Sequence, residues 1–240
     1  MVKTPALSGQ WPSAIAGPPA RHPRVQRMLL RLARLRLRNL NFSIVSNNCW
    51  GAHIYQGLNL PFSTPFIGLF LSPQCYLRLL SDFRRNLSRS LEFKNVSDES
   101  WVNQLREEHP DKWPIGELGN GIEIHFMHYT SATEAAEKWK RRSARLAAQN
   151  DRLFVKFCDR DVSSPDQMAC FDSLPFKNKV YFTVRGDCPL RCAVQIASPE
   201  SRVPHGRILS EISPACFDSV SWINGGPGRV GRWNKWLSCV

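Results

Sequence analysis

The chain has 240 residues, enough for one large domain or two small ones, and its 42% hydrophobic and 22% charged content is that of a globular protein able to bury a real core. Its formal charge of +12 comes from 32 Lys and Arg against 20 Asp and Glu. That excess is local. No acid precedes Asp82, while nine bases do: Lys3, Arg21, Arg24, Arg27, Arg31, Arg34, Arg36, Arg38 and Arg78. The rest is close to neutral, so the charge argues for a basic N-terminal segment and against a domain that is basic throughout. The first twenty residues are rich in Pro and Gly and lack the apolar centre of a secretory signal. The apolar stretch from Phe66 to Leu71 is too short to span a bilayer. Of the eight cysteines, several sit in apolar runs, which reads as reduced, buried thiols of a cytoplasmic protein. Cys188 and Cys192 form a C-x3-C, a spacing foreign to zinc and thioredoxin-type motifs.

In chain order, residues 1 to about 22 read as disordered, or as a consequence of start-site choice. From Pro23 the text becomes RVQRMLLRLARLRLR. Arg24, Arg27, Arg31, Arg34 and Arg38 recur every three or four residues and line one helical face, with Leu29, Leu32 and Leu35 beside them. This is a basic amphipathic helix. It suits either a solvated helix leaning on the domain or an anchor on an anionic membrane surface through residues 23–38. Nucleic acid fits less well, because aromatics are not interleaved and no recognition motif is present. Residues 1–38 are therefore separated from a single α/β domain over 39–240.

Asn41 to Val45 is expected to be a strand, SNNC a turn, and Trp50 to Gly57 a helix. Pro65 to Leu71 reads as a second buried strand, followed by a long helix carrying Tyr76, Leu77, Leu79, Leu80 and Phe83. A polar insert spans about 97–112. Gly119-Asn120-Gly121 marks a hairpin between 115 and 129. Ser131 with Glu134 signals a capped helix through the following KWKRR run. LFVKFC at 153–158 reads as a buried strand, 164–174 as a helix, 179–184 as a strand, 193–197 as one more, and 217–223 as a last short helix. This alternation predicts a three-layer α/β/α fold with a mostly parallel sheet.

In such a sheet ligands bind beyond the carboxyl ends of the strands. Three strand ends carry reactive groups: Asn47, Asn48 and Cys49; then His128 and Tyr129; then Asp159, Arg160 and Asp161. Cys49 resembles a nucleophile on a strand–turn–helix elbow, where the helix N-terminus would lower its thiol pKa. His128 would serve as its base, with Asp159 or Asp161 orienting the imidazole. The plainer reading makes Cys49 a filler and the asparagines helix caps. The same turn could cradle a phosphate, though Gly51 is its single glycine and no nucleotide or other cofactor fingerprint accompanies it. Asp159 and Asp161 could hold a divalent cation, or simply bracket an Arg–Asp loop. His125 and His128 lie three apart on a strand and so point to opposite faces. Lys138 and Arg142 belong to a run that is either a solvated face or a contact for an anionic substrate, a glycan or a sugar nucleotide.

These segments together resemble a bacterial family commonly labelled exopolysaccharide biosynthesis protein. The resemblance rests on SNNCWGAHIYQGLNLPFSTPFIGLFLSPQCYLRLLSDF, on IEIHFMHYTSATEAAEKWKRRSARLAAQNDRLFVKFCDRD, and on FDSLPFKNKVYFT with FDSVSWIN. It runs almost continuously from about residue 40 to 224. The Arg-rich segment before residue 39 falls outside it, and Val162 stands where glycine is expected. The resemblance implies an α/β/α fold and a place in capsule or exopolysaccharide synthesis, without a mechanism. The expected activity is a transferase that modifies a glycan or its precursor, cytoplasmic and peripheral at the inner membrane. The alternative is a non-catalytic assembly partner of a polysaccharide-synthesis enzyme.

Overall fold

A computed structural model describes residues 31–109, 112–146, 148, 150–161, 164–198 and 202–228. Four parallel strands form the central sheet: β1 (Ser43–Ser46), β5 (Leu153–Cys158), β6 (Asn178–Thr183) and β7 (Ala193–Gln195), in the order β1-β5-β6-β7. Between β1 and β5 the chain builds α2 (Trp50–Gly57), α3 (Pro73–Ser81), α4 (Phe83–Leu87), β2 (Glu92–Lys94), α5 (Ser100–Glu108), β3 (Ile115–Glu117), β4 (Glu123–His125) and α6 (Ala132–Ser143). α7 (Pro165–Ser173) joins β5 to β6, and α8 (Gly206–Ile212) and α9 (Ser219–Ile223) follow β7. Residues 31–35 are helical and form α1.

The parallel sheet is buried on both faces, as alternation along β5 shows. Leu153, Val155 and Phe157 join a core containing Tyr76, Trp139 and Phe171, from α3, α6 and α7. Phe154 and Cys158 join a second core containing Trp50, Tyr55, Leu209 and Trp222, from α2, α8 and α9. Each large apolar side chain so enclosed contributes about 1.5–3 kcal/mol. The three-layer α/β reading therefore holds. One position on this strand breaks the apolar rule: Lys156 is fully buried and shares the Phe154 face.

Several local expectations change. Pro65 to Leu71 is not a strand of the main sheet. Gly68 has a φ of +69°, a left-handed conformation that interrupts a pleat, and only Phe70 makes an antiparallel bridge, to His125. The long helix after it is two, because Asp82 (φ −139°, ψ 63°) breaks the run between α3 and α4. The polar insert contains α5. The Asn-Gly hairpin is present, with Asn120, Gly119 and Gly121 all at positive φ. It belongs to a separate antiparallel sheet, β2-β3-β4, since β2 supplies the partner that two short strands need.

The N-terminal segment is docked where it is described. Ala33 is 1% exposed and sits in the core with Phe42 and Tyr55. Arg34 donates to the Asn59 carbonyl at 3.1 Å, Arg36 pairs with Asp218, and the Arg38 amide donates to Asn224 Oδ1 at 2.9 Å. A boundary after residue 38 thus cuts through packed structure; Arg24, Arg27 and Leu29 lie outside the described residues. The seven described cysteines are all free thiols.

His125 on β4 is 0% exposed, and neither ring nitrogen finds a hydrogen-bond partner. Burial lowers its pKa from 6.5 to about 4, against the pull of Glu123, whose carboxylate lies 3.5 Å from Nε2. The folded state therefore binds fewer protons than the unfolded chain between these values, and stability drops as pH falls. Urea unfolding should lose about 3 kcal/mol from this group between pH 6.5 and about 4. His125→Phe, with an apolar ring beside Phe70, should flatten that portion of the curve. Equal slopes for both proteins would show that the loss originates elsewhere.

Candidate functional site

The register Ser46↔Lys156 in the β1–β5 pair brings the SNNC turn directly over the buried lysine. Lys156 Nζ lies 3.0 Å from Asn48 Oδ1, 3.4 Å from Asn47 Oδ1 and 3.1 Å from Cys158 Sγ. Its described partners are two side-chain amide oxygens and the Cys158 sulfur, and no carboxylate pairs with it among the described residues. Isolated buried charge costs several kcal/mol. Asn48 does a second job: its Oδ1 accepts from the Trp50 amide at 3.2 Å and so caps α2. Tyr76 reaches the same seam from the other core, its hydroxyl 2.9 Å from the Val45 carbonyl and 3.0 Å from that of Lys156.

Cys49 is the N-cap residue of α2 and is partly buried. The backbone around it is enclosed by glycine. A Cβ on Gly206, at the start of α8, would lie 2.7 Å from the Trp50 nitrogen and 3.1 Å from Cys49 N and C. A Cβ on Gly68 would lie 3.2 Å from His128 Cβ and 3.2 Å from Tyr129 Cε2. Gly68 also lies against the Cys49 thiol through its backbone, and Tyr129 is close enough for an ionised Cys49 to raise its pKa. Cys49, Gly68, His128 and Tyr129 thus share one rim. His53, one helical turn on from Cys49, faces His128, Arg207 and Glu211, and burial lowers its pKa.

The electrostatics differ from the sequence expectation. Burial pushes the Cys49 thiol above its ordinary value, while the Lys156 charge and the Gly68 backbone pull it down without cancelling that effect. The helix N-terminus does not yield a depressed thiol here, because the sulfur is largely removed from water. His128 is exposed on the rim, with its amide bonded to the Gly68 carbonyl at 3.0 Å. His125 and His128 do not share a strand as expected: β4 ends at His125, and His128 lies in the turn that follows.

The other expected residues are placed as follows. Asn47 and Asn48 are buried beneath Cys49. Tyr129 is buried, donates to the Ile67 carbonyl at 2.6 Å and accepts from Arg142 at 2.6 Å. Arg142 also stacks 5.1 Å from the Phe62 ring. Lys138 pairs with Glu134 and lies 5.4 Å over the Tyr129 ring. Lys138 and Arg142 are thus engaged in positioning Tyr129. Asp159 makes no hydrogen bond or ion pair with His128. Its Oδ2 accepts from Thr183 Oγ1 at 2.6 Å and from the Val184 amide at 3.0 Å, and its Oδ1 from the Val203 amide at 3.1 Å. It ties the ends of β5 and β6 to the segment leading into α8. Asp161 closes the same turn, and its side chain is outside the described set. Among the described residues no group of three or more His, Cys, Asp or Glu is arranged to hold a metal ion.

Sequence reasoning missed Lys156, Cys158, His53 and Gly206. The one available signal was a lysine inside an otherwise apolar six-residue strand, LFVKFC, which is unusual enough to mark the position.

Residues 22–224 match the family described as a domain of unknown function, DUF1919. The chain belongs to the DUF1919 family. The match includes the Arg-rich segment from residue 22, so that segment is not the departure from the family that its composition suggested. A protein of Haemophilus influenzae named "Uncharacterized protein" is 36% identical over 201 residues, covering 81% of this chain and 89% of its own length.

Two outcomes follow. Lys156→Met keeps side-chain volume but takes a donor from the buried Asn47 and Asn48 side-chain oxygens, so urea unfolding should show a loss of about 1–3 kcal/mol. The Cys49 pKa should then rise, and its alkylation rate at a fixed pH below that pKa should fall about tenfold per unit of rise. Peptide mass spectrometry across a pH series reads this directly, and superimposable profiles would disconnect the charge from the thiol. Asp159→Ala should cost about 2–4 kcal/mol in urea unfolding, because its hydrogen bonds hold three segments together. A stable but inactive Asp159→Ala protein would instead assign that carboxylate a chemical role.

Proposed function

We propose that this protein is a transferase of bacterial polysaccharide biosynthesis in which Cys49 carries the transferred group, an acyl unit, between donor and glycan. The observation that supports this most is the partly buried Cys49 thiol set near a buried lysine that has no carboxylate partner among the described residues, at the carboxyl edge of a parallel sheet. Such a cation favours negative charge nearby, and the thiolate is the negative charge that nucleophilic chemistry requires. The polysaccharide assignment draws on the sequence resemblance; the acyl assignment draws on the suitability of a thiol for thioester exchange.

The steps follow from the rim. His128 takes the proton from the Cys49 thiol, and the thiolate attacks the donor carbonyl. The donor's leaving group departs with the proton from His128, leaving a thioester on Cys49. A glycan hydroxyl then attacks the thioester and gives its proton to His128, which returns it to the sulfur. Lys156 offsets the thiolate charge at both stages.

A second reading, a non-catalytic partner of a polysaccharide-synthesis enzyme, draws on Leu32, Leu35 and Leu40, which are exposed at one end of the domain. One experiment separates the two. Polysaccharide from a deletion strain should lack a substituent that the wild-type gene restores. Cys49→Ala should fail to restore it. His128→Ala should restore it only at a rate reduced about 10²–10⁴-fold. The purified protein exposed to a small acyl thioester, acetyl-N-acetylcysteamine, should gain one acetyl group on Cys49. Full restoration by Cys49→Ala would eliminate the transferase reading in favour of the partner.

A further inference from the structure

We propose that residues 31–40 form a contact surface for anionic bilayers, with Leu32, Leu35 and Leu40 entering the boundary between headgroups and acyl chains and Arg31 and Arg38 on the lipid phosphates. This surface is separate from the Cys49 rim and does not depend on the chemistry assigned there.

Three of the four exposed large hydrophobic residues among the described residues fall within these ten positions: Leu32 at 50%, Leu35 at 81% and Leu40 at 57%. Clustered exposure of this kind on a folded domain marks an interaction surface. The exposure does not come from a loose end. Ala33 is locked in the core, Arg34 and Arg36 are bonded to Asn59 and Asp218, and Asn224 bonds the backbone on both sides, from Nδ2 to the Arg36 carbonyl at 2.8 Å and at Oδ1 from the Arg38 amide. The segment is held so that its leucines point away from the protein.

Charge selects the occupant. Arginines alternate with these leucines, and no acid occurs in the sequence before Asp82. The acid that reaches the segment, Asp218, is engaged by Arg36. A second copy of the chain would bring the same arginines against this face and be repelled, whereas an anionic lipid surface is complementary in both charge and apolarity. The segment feeds β1 from its amino end and touches Asn59 beyond the last turn of α2, whereas Cys49 stands at the first turn of that helix. A bilayer bound here would leave the Cys49 rim facing water, at least the ~12 Å length of α2 away. The acceptor at the rim is then a soluble glycan or one that reaches back from the membrane.

The test uses the full-length chain with two kinds of vesicle, phosphatidylcholine alone and an equal mixture of phosphatidylcholine and phosphatidylglycerol. Sedimentation with the mixed vesicles, release at ~1 M salt where the screening length is ~3 Å, and little binding to the neutral vesicles are expected. Arg31→Gln with Arg38→Gln should weaken binding about thirtyfold, the product of two charges each contributing about fivefold at an anionic surface. Leu32→Ser with Leu35→Ser, which leaves the charge intact, should weaken it by about tenfold or more. Circular dichroism should show both double variants folded, since all four side chains are exposed. Equal binding of wild type and both variants would overturn the proposal, as would equal binding to neutral vesicles or no binding at all. Self-association in sedimentation velocity that disappears in the leucine variant would assign this face to a second copy instead.

Discussion

The Lys156 side chain sits where the two halves of the fold meet, and its hydrogen bonds to Asn47, Asn48 and Cys158 constrain most of what surrounds it. A charged group in a packed interior cannot be left without oriented dipoles. Here the dipoles come from two consecutive amides that are themselves fixed, Asn48 by capping α2 and Asn47 by accepting the Leu71 amide on its backbone carbonyl at 2.9 Å. Moving the lysine would therefore disturb the β1–α2 turn, the Phe70 bridge and the second sheet behind it.

That arrangement accounts for the position of Cys49. The turn is tightened from below by the lysine–asparagine contacts and from above by Gly206, whose α carbon admits no side chain against the Trp50 amide. From the side, the left-handed Gly68 brings the 65–71 segment against His128 and Tyr129. Arg142 and Lys138 from α6 then fix Tyr129. The thiol rests in a setting that is largely dry but adjoins one fixed positive charge. Its resting state is protonated, and the cost of ionising it is lowered by an interaction already in place before any substrate arrives.

The smaller sheet carries a different kind of tension. Glu123 is buried, and although burial alone would raise it, hydrogen bonds from the Asp98 amide, Lys94 and Ser97 keep it below the usual carboxylate range. Its neighbour His125 has no such support. Because β4 runs directly into His128 and Tyr129, an acid-sensitive strand lies three residues from the exposed histidine of the rim. The four strands of the main sheet carry no His, Asp or Glu, so the two sheets are expected to differ in their response to acid.

Much of the local structure was legible in the sequence because it depends on near neighbours. The Gly119-Asn120-Gly121 hairpin, the Ser131 cap, the alternating core of β5 and the Cys49 turn all follow from backbone sterics, capping and side-chain period. The strand-end rule also placed Cys49 and His128 on one rim. Asp159 also stands at a strand end, but its carboxylate is taken up by the Thr183 hydroxyl and the Val184 and Val203 amides, and Val203 is far from it in sequence. Sequence reading failed for Pro65 to Leu71, where apolar content suggested a strand and the φ of Gly68 prevented one. The N-terminal segment read as an appendage because Arg-rich helices are usually solvated, yet one alanine and an Arg36–Asp218 contact dock it. The alternation of LFVKFC put Lys156 on the same face as Phe154 and Cys158 from sequence alone. What covers that face was decided by the pairing of β1 with β5, which brings Asn47 and Asn48 over a lysine more than a hundred residues away. Hydrogen bonding and burial depend on which groups meet in space, and only the tertiary structure brings them together.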